Sequence, residues 1–126
     1  DDYGVHFYST TIDATDDYIA AHPDVVTKFL RATFKGWMYV VENPQSVGQM
    51  VLHYNPKADA ELESASMVAS LPYVNTGEDH IGWMKAEIWD GMLQTMRSEG
   101  EIMTSLDIKD VYTMAFLQHI YGEGQS

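Results

Sequence analysis

Side chains with the spacing of a catalytic or metal site are scarce in this sequence. The histidines, none of which has the i, i+4 partner of a helical metal pair, are His6, His22, His53, His80 and His119. Glu78, Asp79 and His80 lie together in a predicted loop and include metal-ligating types, but a solvated acidic turn is the better interpretation. The sequence therefore predicts no metal site and no cofactor.

Nucleophilic chemistry has no support either. The chain contains no cysteine, which excludes disulfides, thiolate metal sites and cysteine nucleophiles. It has no G-x-S-x-G motif, no glycine loop for phosphate and no Ser/His/Asp signature. Acidic pairs such as Asp16-Asp17 are best explained as first-turn residues of helices, where they complement the helix dipole. We therefore expect a protein that is not an enzyme.

The charge balance narrows the choice of partners. The 126 residues include 19 acidic and 7 basic ones, for a formal net charge of −12. Phosphate backbones and anionic membrane surfaces both attract lysine and arginine, so the charge balance argues against nucleic acid and such membranes as partners. The 45% of hydrophobic residues permits a packed core. No apolar run reaches the length of a membrane span.

Polar groups with ligand-binding chemistry gather near the start of the chain. Val5–Ile12 is rich in β-branched and aromatic residues, which predicts a strand. Ligands of open α/β folds bind near strand ends. Tyr8 could stack on a flat ring, Ser9 and Thr10 could orient it, and Asp13 could pair with a cationic or amino group. We predict these four as ligand contacts; for Tyr8, filling a hydrophobic gap is the equal alternative.

The rest of the chain reads as five to six helices, so the chain is mostly α-helical. Capping and helix-breaking residues mark their predicted ends: Thr15, Pro23, Asn43-Pro44, Asp59, Pro72, Gly100 and Asp107. Apolar residues recur at helical spacing between them. By that spacing Phe29, Phe34, Trp37 and Trp89 are predicted to pack in the core. The single strand, in contrast, needs a partner from elsewhere in the protein, a second copy or the tail.

Several segments together resemble one protein family. They are Ala14–Asp24, Val26–Pro44, Ser70–Pro72, Ile81–Met84 and Asp110–Leu117. In order and spacing they are similar to elements of the thiamine-precursor-type substrate-binding proteins of ABC transporters, whose relatives bind riboflavin, nitrate, taurine or alkanesulfonates. One departure is Lys85, which stands where an acidic helix start is common and weakens that cap.

The resemblance implies a periplasmic-binding-protein type II fold of two α/β lobes, of which this chain would be the C-terminal part. Residues 1–14 would form the crossover strand, 15–121 the helical part of one lobe, and 122–126 a frayed tail. Tyr8 and Ser9 align with the strand on which the family often places a ligand-facing aromatic.

The function implied is capture of a small-molecule solute by lobe closure and its delivery to an ABC permease. A thiamine-pyrimidine-like nutrient is the implied solute. Such a protein works in the periplasm or outside the cell, and a missing N-terminus would be the place for a membrane anchor.

Two other hypotheses remain open. A free-standing helical protein could use the strand to form a strand-exchanged homodimer. Fungal enzymes that make the thiamine pyrimidine also resemble the family, but they use a cysteine-rich motif, and this chain has no cysteine.

Overall fold

The computed structural model describes residues 7–74 and 80–122. This part of the chain is mostly helical and contains no strand. Its six α-helices are α1 (Asp16–Ala21), α2 (Pro23–Glu42), α3 (Val47–Tyr54), α4 (Ala60–Val74), α5 (Ala86–Ser98) and α6 (Ala115–Gly122). Two short 3₁₀ helices, Pro44–Ser46 and Ile108–Asp110, precede α3 and α6.

Local sequence chemistry explains where three of the helices begin. The Thr15 hydroxyl accepts the Tyr18 amide at 3.3 Å and starts α1. Pro23 occupies the first position of α2, where its missing N–H leaves nothing unpaired. The Asp59 carboxylate accepts the amides of the second and third residues of α4 at 3.0 and 3.1 Å. These three predicted helix starts are confirmed.

The end of α5 follows from a glycine. Gly100 has φ +76°, a left-handed conformation in which side chains are strained. The next amide, that of Glu101, donates to the Met96 carbonyl at 2.9 Å and closes the last turn. The predicted terminating role of Gly100 is therefore confirmed.

Two predicted helix boundaries are wrong. Pro72 lies inside α4, which continues to Val74, because a proline this close to the end removes only one hydrogen bond of the last turn. Asp107 caps only the 3₁₀ helix, by accepting the Lys109 amide at 3.0 Å. The final helix begins instead at Ala115, whose amide donates to the Thr113 hydroxyl at 3.2 Å.

The predicted strand over Val5–Ile12 is not shown. Residues 7–12 form neither strand nor helix, and residues 5–6 lie outside the described part of the chain. A strand needs a neighbouring strand for its backbone hydrogen bonds, and residues 7–74 and 80–122 provide none. In the predicted tail, Gly122 is the last residue of α6, and 123–126 lie outside the described residues.

The contacts divide the chain into two compact units. The α2–α4 unit is continuous, Asp24–Gly82, whereas the α5–α6 unit combines Asp1–Pro23 with Trp83–Ser126. Buried apolar side chains are few in the described residues: Leu30, Phe34 and Met67 in the first unit, Leu93 and Leu117 in the second. Each unit therefore has a small core of its own.

The α2–α4 unit is held by a close helix pair. At Gly48 of α3, an added Cβ would lie 2.6 Å from the Ala60 carbonyl carbon, so only glycine fits there. The Gly48 amide donates to the buried Ser64 hydroxyl at 3.0 Å. That hydroxyl donates in turn to the Gln45 carbonyl at 3.0 Å. Direct backbone approach and the first bond join α3 to α4, and the second bond joins the 3₁₀ helix before α3 to α4.

The aromatic residues of α2 divide between core and surface. Phe34 is buried, as predicted, and its ring lies close against Gly82, which has φ +83°. Phe29 and Trp37 are 56% and 41% exposed, so the prediction that they pack in the core is wrong. Their helical spacing is correct, but a three-helix unit of this size covers only a narrow face of α2.

Candidate functional site

Tyr8 connects the segment before α1 to helix α5. Its backbone N–H donates to the Met92 sulfur at 3.4 Å. Its hydroxyl oxygen accepts the Lys85 amide at 2.7 Å. Lys85 caps α5 without a side-chain hydrogen bond to the helix, as the sequence predicts for a lysine there. The Tyr8 hydroxyl therefore satisfies the amide at a weakly capped helix start.

Three rings form an aromatic cluster, defined here as Tyr8, Trp89 and Tyr112. The Tyr8 and Trp89 centroids are 5.5 Å apart with the planes tilted by 47°. Trp89 stacks on Tyr112 at 5.1 Å and 12°. Lys85, Trp89 and Met92 follow one another at helical spacing of four and three residues, so one face of α5 presents all three contacts of Tyr8.

One polar atom of the aromatic cluster has no hydrogen-bond partner within residues 7–74 and 80–122. The Trp89 indole nitrogen is buried and meets no hydrogen-bond acceptor among the described residues. The Tyr8 hydroxyl accepts one hydrogen bond, and none of the described residues accepts its proton. The cluster thus combines three aromatic rings with two hydrogen-bond donors that have no acceptor in the described part of the chain.

The other predicted contacts are close in sequence but are not drawn into the aromatic cluster. Ser9, Thr10 and Asp13 are exposed. No hydrogen bond to another described residue orients their side chains. The structure therefore brings Tyr8 into the cluster and leaves these three beside it along the chain.

Trp89 and Tyr112 were missed as site residues by sequence reasoning. Trp89 is half-buried, and its helical spacing indicates only that it faces inward. Tyr112 follows the 3₁₀ helix, where no periodicity applies. The position of Trp89 one turn after the weakly capped Lys85 is the signal that could have marked α5.

Metal-ligating groups do not converge within residues 7–74 and 80–122. Of the predicted loop Glu78-Asp79-His80, the first two residues lie outside the described part of the chain, and His80 is exposed. Burial raises the pKa of Tyr121 above its ordinary value of 10.0, and its ring lies 6.5 Å from that of Trp83. This tyrosine is not part of the aromatic cluster.

An open groove of about 700 Å³ follows α3 and α4 in the α2–α4 unit. Its lining is Gln45, Gln49, Ala60, Glu61, Ser64, Ala65, Val68 and Ala69. Its lining contains no aromatic ring, and its one ionisable group is Glu61. The aromatic cluster offers the more specific chemistry although the groove offers more space.

Comparisons with known proteins agree with the family expected from the sequence. A family model described as "NMT1/THI5 like" matches residues 1–47, a range that includes Tyr8, Ser9, Thr10 and Asp13. The riboflavin-binding protein RibY of Chloroflexus aurantiacus is 26% identical over 112 residues. The chain is similar to NMT1/THI5-like substrate-binding proteins. That family has the periplasmic-binding-protein type II fold.

The alignment with RibY covers most of this chain but only part of the relative. It includes 84% of this chain and 32% of the RibY chain, so the chain spans about a third of the length of the relative it matches. No solved structure matches it. The name of the relative describes a binding protein. Substrate-binding proteins of this family typically act outside the cell or in the periplasm. Within the described residues, no helix combines the length and apolar character needed to span a membrane.

Proposed function

We propose that this chain takes part in capturing a flat heteroaromatic nutrient for an ABC importer, with riboflavin and the thiamine pyrimidine as the leading candidates. The aromatic cluster of Tyr8, Trp89 and Tyr112 is the observation that carries this proposal. Support comes also from the relative, whose name describes riboflavin binding.

The chemistry of the aromatic cluster suits such a ligand. Tyrosine rings stack on flat π-systems, and offset or tilted ring pairs add to the energy of apolar burial. The Tyr8 hydroxyl proton is available to a ring nitrogen or carbonyl. Ser9 and Thr10 lie next along the chain and are exposed, so their hydroxyls can reach polar substituents. Asp13 has the charge to pair with an amino group, which the thiamine pyrimidine carries.

The mechanism follows from the type II fold of the family. Two lobes close around the solute and remove it from water, so that stacking and hydrogen bonds act together. The closed form then docks on a membrane permease. This proposal places the protein in the periplasm or at the outer face of the membrane, with residues 1–14 as the crossover between lobes and 15–121 in one of them.

Solute binding by the protein expressed from its complete gene is the direct test. Titration with riboflavin, followed by quenching of flavin fluorescence, and with the thiamine pyrimidine, followed by calorimetry, gives Kd for each. We expect Tyr8→Ala to weaken binding of the preferred solute at least tenfold. Tyr73→Ala is the matched control, because Tyr73 is 88% exposed and lies outside the aromatic cluster.

Absence of binding for both solutes would refute the proposed function. Equal Kd values for Tyr8→Ala and the parent would refute the placement of the site. The importer role has a separate test, in which uptake of the labelled solute is measured in cells with and without the gene. Unchanged uptake in a strain with no second system for that solute would contradict it.

A further inference from the structure

The indole nitrogen of Trp89 is an exception within the described chain. It is the buried side-chain nitrogen that meets no hydrogen-bond acceptor among the described residues. Buried donors in folded proteins nearly always have a partner, so each unpaired one needs a cause. A ligand that supplies the acceptor only when it binds is such a cause.

The rings that contact Trp89 do not accept a hydrogen bond from its N–H, so an incoming group could do so. Tyr112 stacks on the indole ring, and Tyr8 lies tilted against it, so both neighbours present rings. Two acceptors in contact with this part of α5 each accept a hydrogen bond from another donor, and neither accepts one from the Trp89 indole. The Tyr8 hydroxyl accepts the Lys85 amide, and the Met92 sulfur accepts the Tyr8 amide.

Access to the indole depends on the segment before α1, which carries Tyr8. Residues 7–15 have no helix or strand, and Tyr8 fixes them to α5 through two hydrogen bonds and a ring contact. Segments without helix or strand open at lower free energy than packed helices do. Because the Tyr8 ring lies against the indole, a shift of Tyr8 would expose that side of the indole while α5 remains in place.

We infer that the Trp89 N–H is a specificity-determining hydrogen-bond donor to the solute, an inference that rests on the proposed function. Its partner is a carbonyl oxygen or an unprotonated ring nitrogen in the plane of the solute ring. This donor is already out of water in the free protein, so a solute with an acceptor at this edge gains a hydrogen bond that an analogue without it does not gain. The site therefore selects rings with an acceptor at this edge.

The test uses the protein expressed from its complete gene and whichever of riboflavin or the thiamine pyrimidine binds. Trp89→Phe keeps an aromatic ring and removes the donor, and we expect it to raise Kd at least tenfold. The control Trp37→Phe makes the same exchange at a tryptophan that is 41% exposed and lies outside the aromatic cluster, and it should leave Kd within about threefold. Circular dichroism of both variants checks that they fold.

NMR of the unmodified protein tests the same hydrogen bond without relying on Trp89→Phe. The three tryptophans give three indole N–H resonances, assigned with Trp37→Phe and Trp83→Phe. Saturating solute should move the Trp89 resonance and slow its exchange with water, and should leave that of the exposed Trp37 unchanged. An unmoved Trp89 resonance together with an unchanged Kd for Trp89→Phe would overturn this inference alone. Failure of the parent protein to bind either solute would overturn it together with the proposed function.

Discussion

Replacing Gly48 by alanine tests the close packing of α3 against α4. The new Cβ would meet the backbone of Ala60, 2.6 Å from its carbonyl carbon and 2.8 Å from its Cα. Backbone cannot rotate away as the end of a flexible side chain can, so the two helices must separate. Separation also lengthens the bond from the Gly48 amide to Ser64, which is 3.0 Å long and buried.

The expected magnitude comes from three effects. Overpacking costs about 1–3 kcal/mol, and loss of a buried hydrogen bond costs about 1 kcal/mol more. The gain in helix propensity from glycine to alanine offsets about 0.5–1 kcal/mol of this. We therefore expect Gly48→Ala to lower the free energy of unfolding by about 1–3.5 kcal/mol.

Gly36→Ala is the matched control within the same unit. Gly36 lies in the middle of α2, is exposed, and an added Cβ there meets nothing within 4 Å. It should stabilise the chain by about 0.5–1 kcal/mol through helix propensity alone. Urea unfolding followed by circular dichroism at the helix band gives both values. The reasoning fails if the two variants change stability by the same amount or if Gly48→Ala is as stable as the parent.

Two further predictions concern the α5–α6 unit. Tyr8→Phe removes the acceptor of the Lys85 amide and should lower the free energy of unfolding by about 1 kcal/mol, whereas Tyr8→Ala also loses the ring contact and should lower it more. Urea unfolding followed by tryptophan fluorescence in a Trp37→Phe background measures both values. Equal losses for the two variants would contradict the prediction. Because burial raises the pKa of Tyr121, the native chain keeps this proton to higher pH than the unfolded chain does. The contribution of Tyr121 to the free energy of unfolding should therefore be fully present below pH 10.0 and be lost as the pH rises through the folded-state pKa. Tyr121→Phe should reduce this loss of stability in unfolding curves taken across that pH range.

The elements that the sequence predicts correctly depend on neighbouring residues. Thr15 and Asp59 bond to amides two or three positions away, and Pro23 acts through its own ring. Such short-range chemistry is visible in the sequence. The predicted start of the last helix shows the limit of short-range signals. Asp107 does cap a helix, but that helix is a 3₁₀ helix of only three residues.

The features that the sequence does not predict depend on distant residues. Tyr8 was selected as a ligand contact for its position beside polar residues, but its partners Lys85 and Met92 lie 77 and 84 positions away. The exposure of Phe29 and Trp37 depends on how much of α2 its neighbours cover, which helical spacing does not reveal. Whether Ser9, Thr10 and Asp13 contact a solute stays a prediction.

The discontinuous course of the α5–α6 unit has a consequence during synthesis of the chain. The α2–α4 unit is one uninterrupted stretch, and its Gly48–Ser64 bond spans 16 positions, so it can form as soon as Gly82 is free of the ribosome. Tyr8 must wait for α5. At about 5–20 residues per second, the 77 positions to Lys85 take about 4–15 s to translate. During that interval the hydrogen bonds from Tyr8 to α5 cannot form, so the segment before α1 is exposed to chaperones and proteases on the nascent chain.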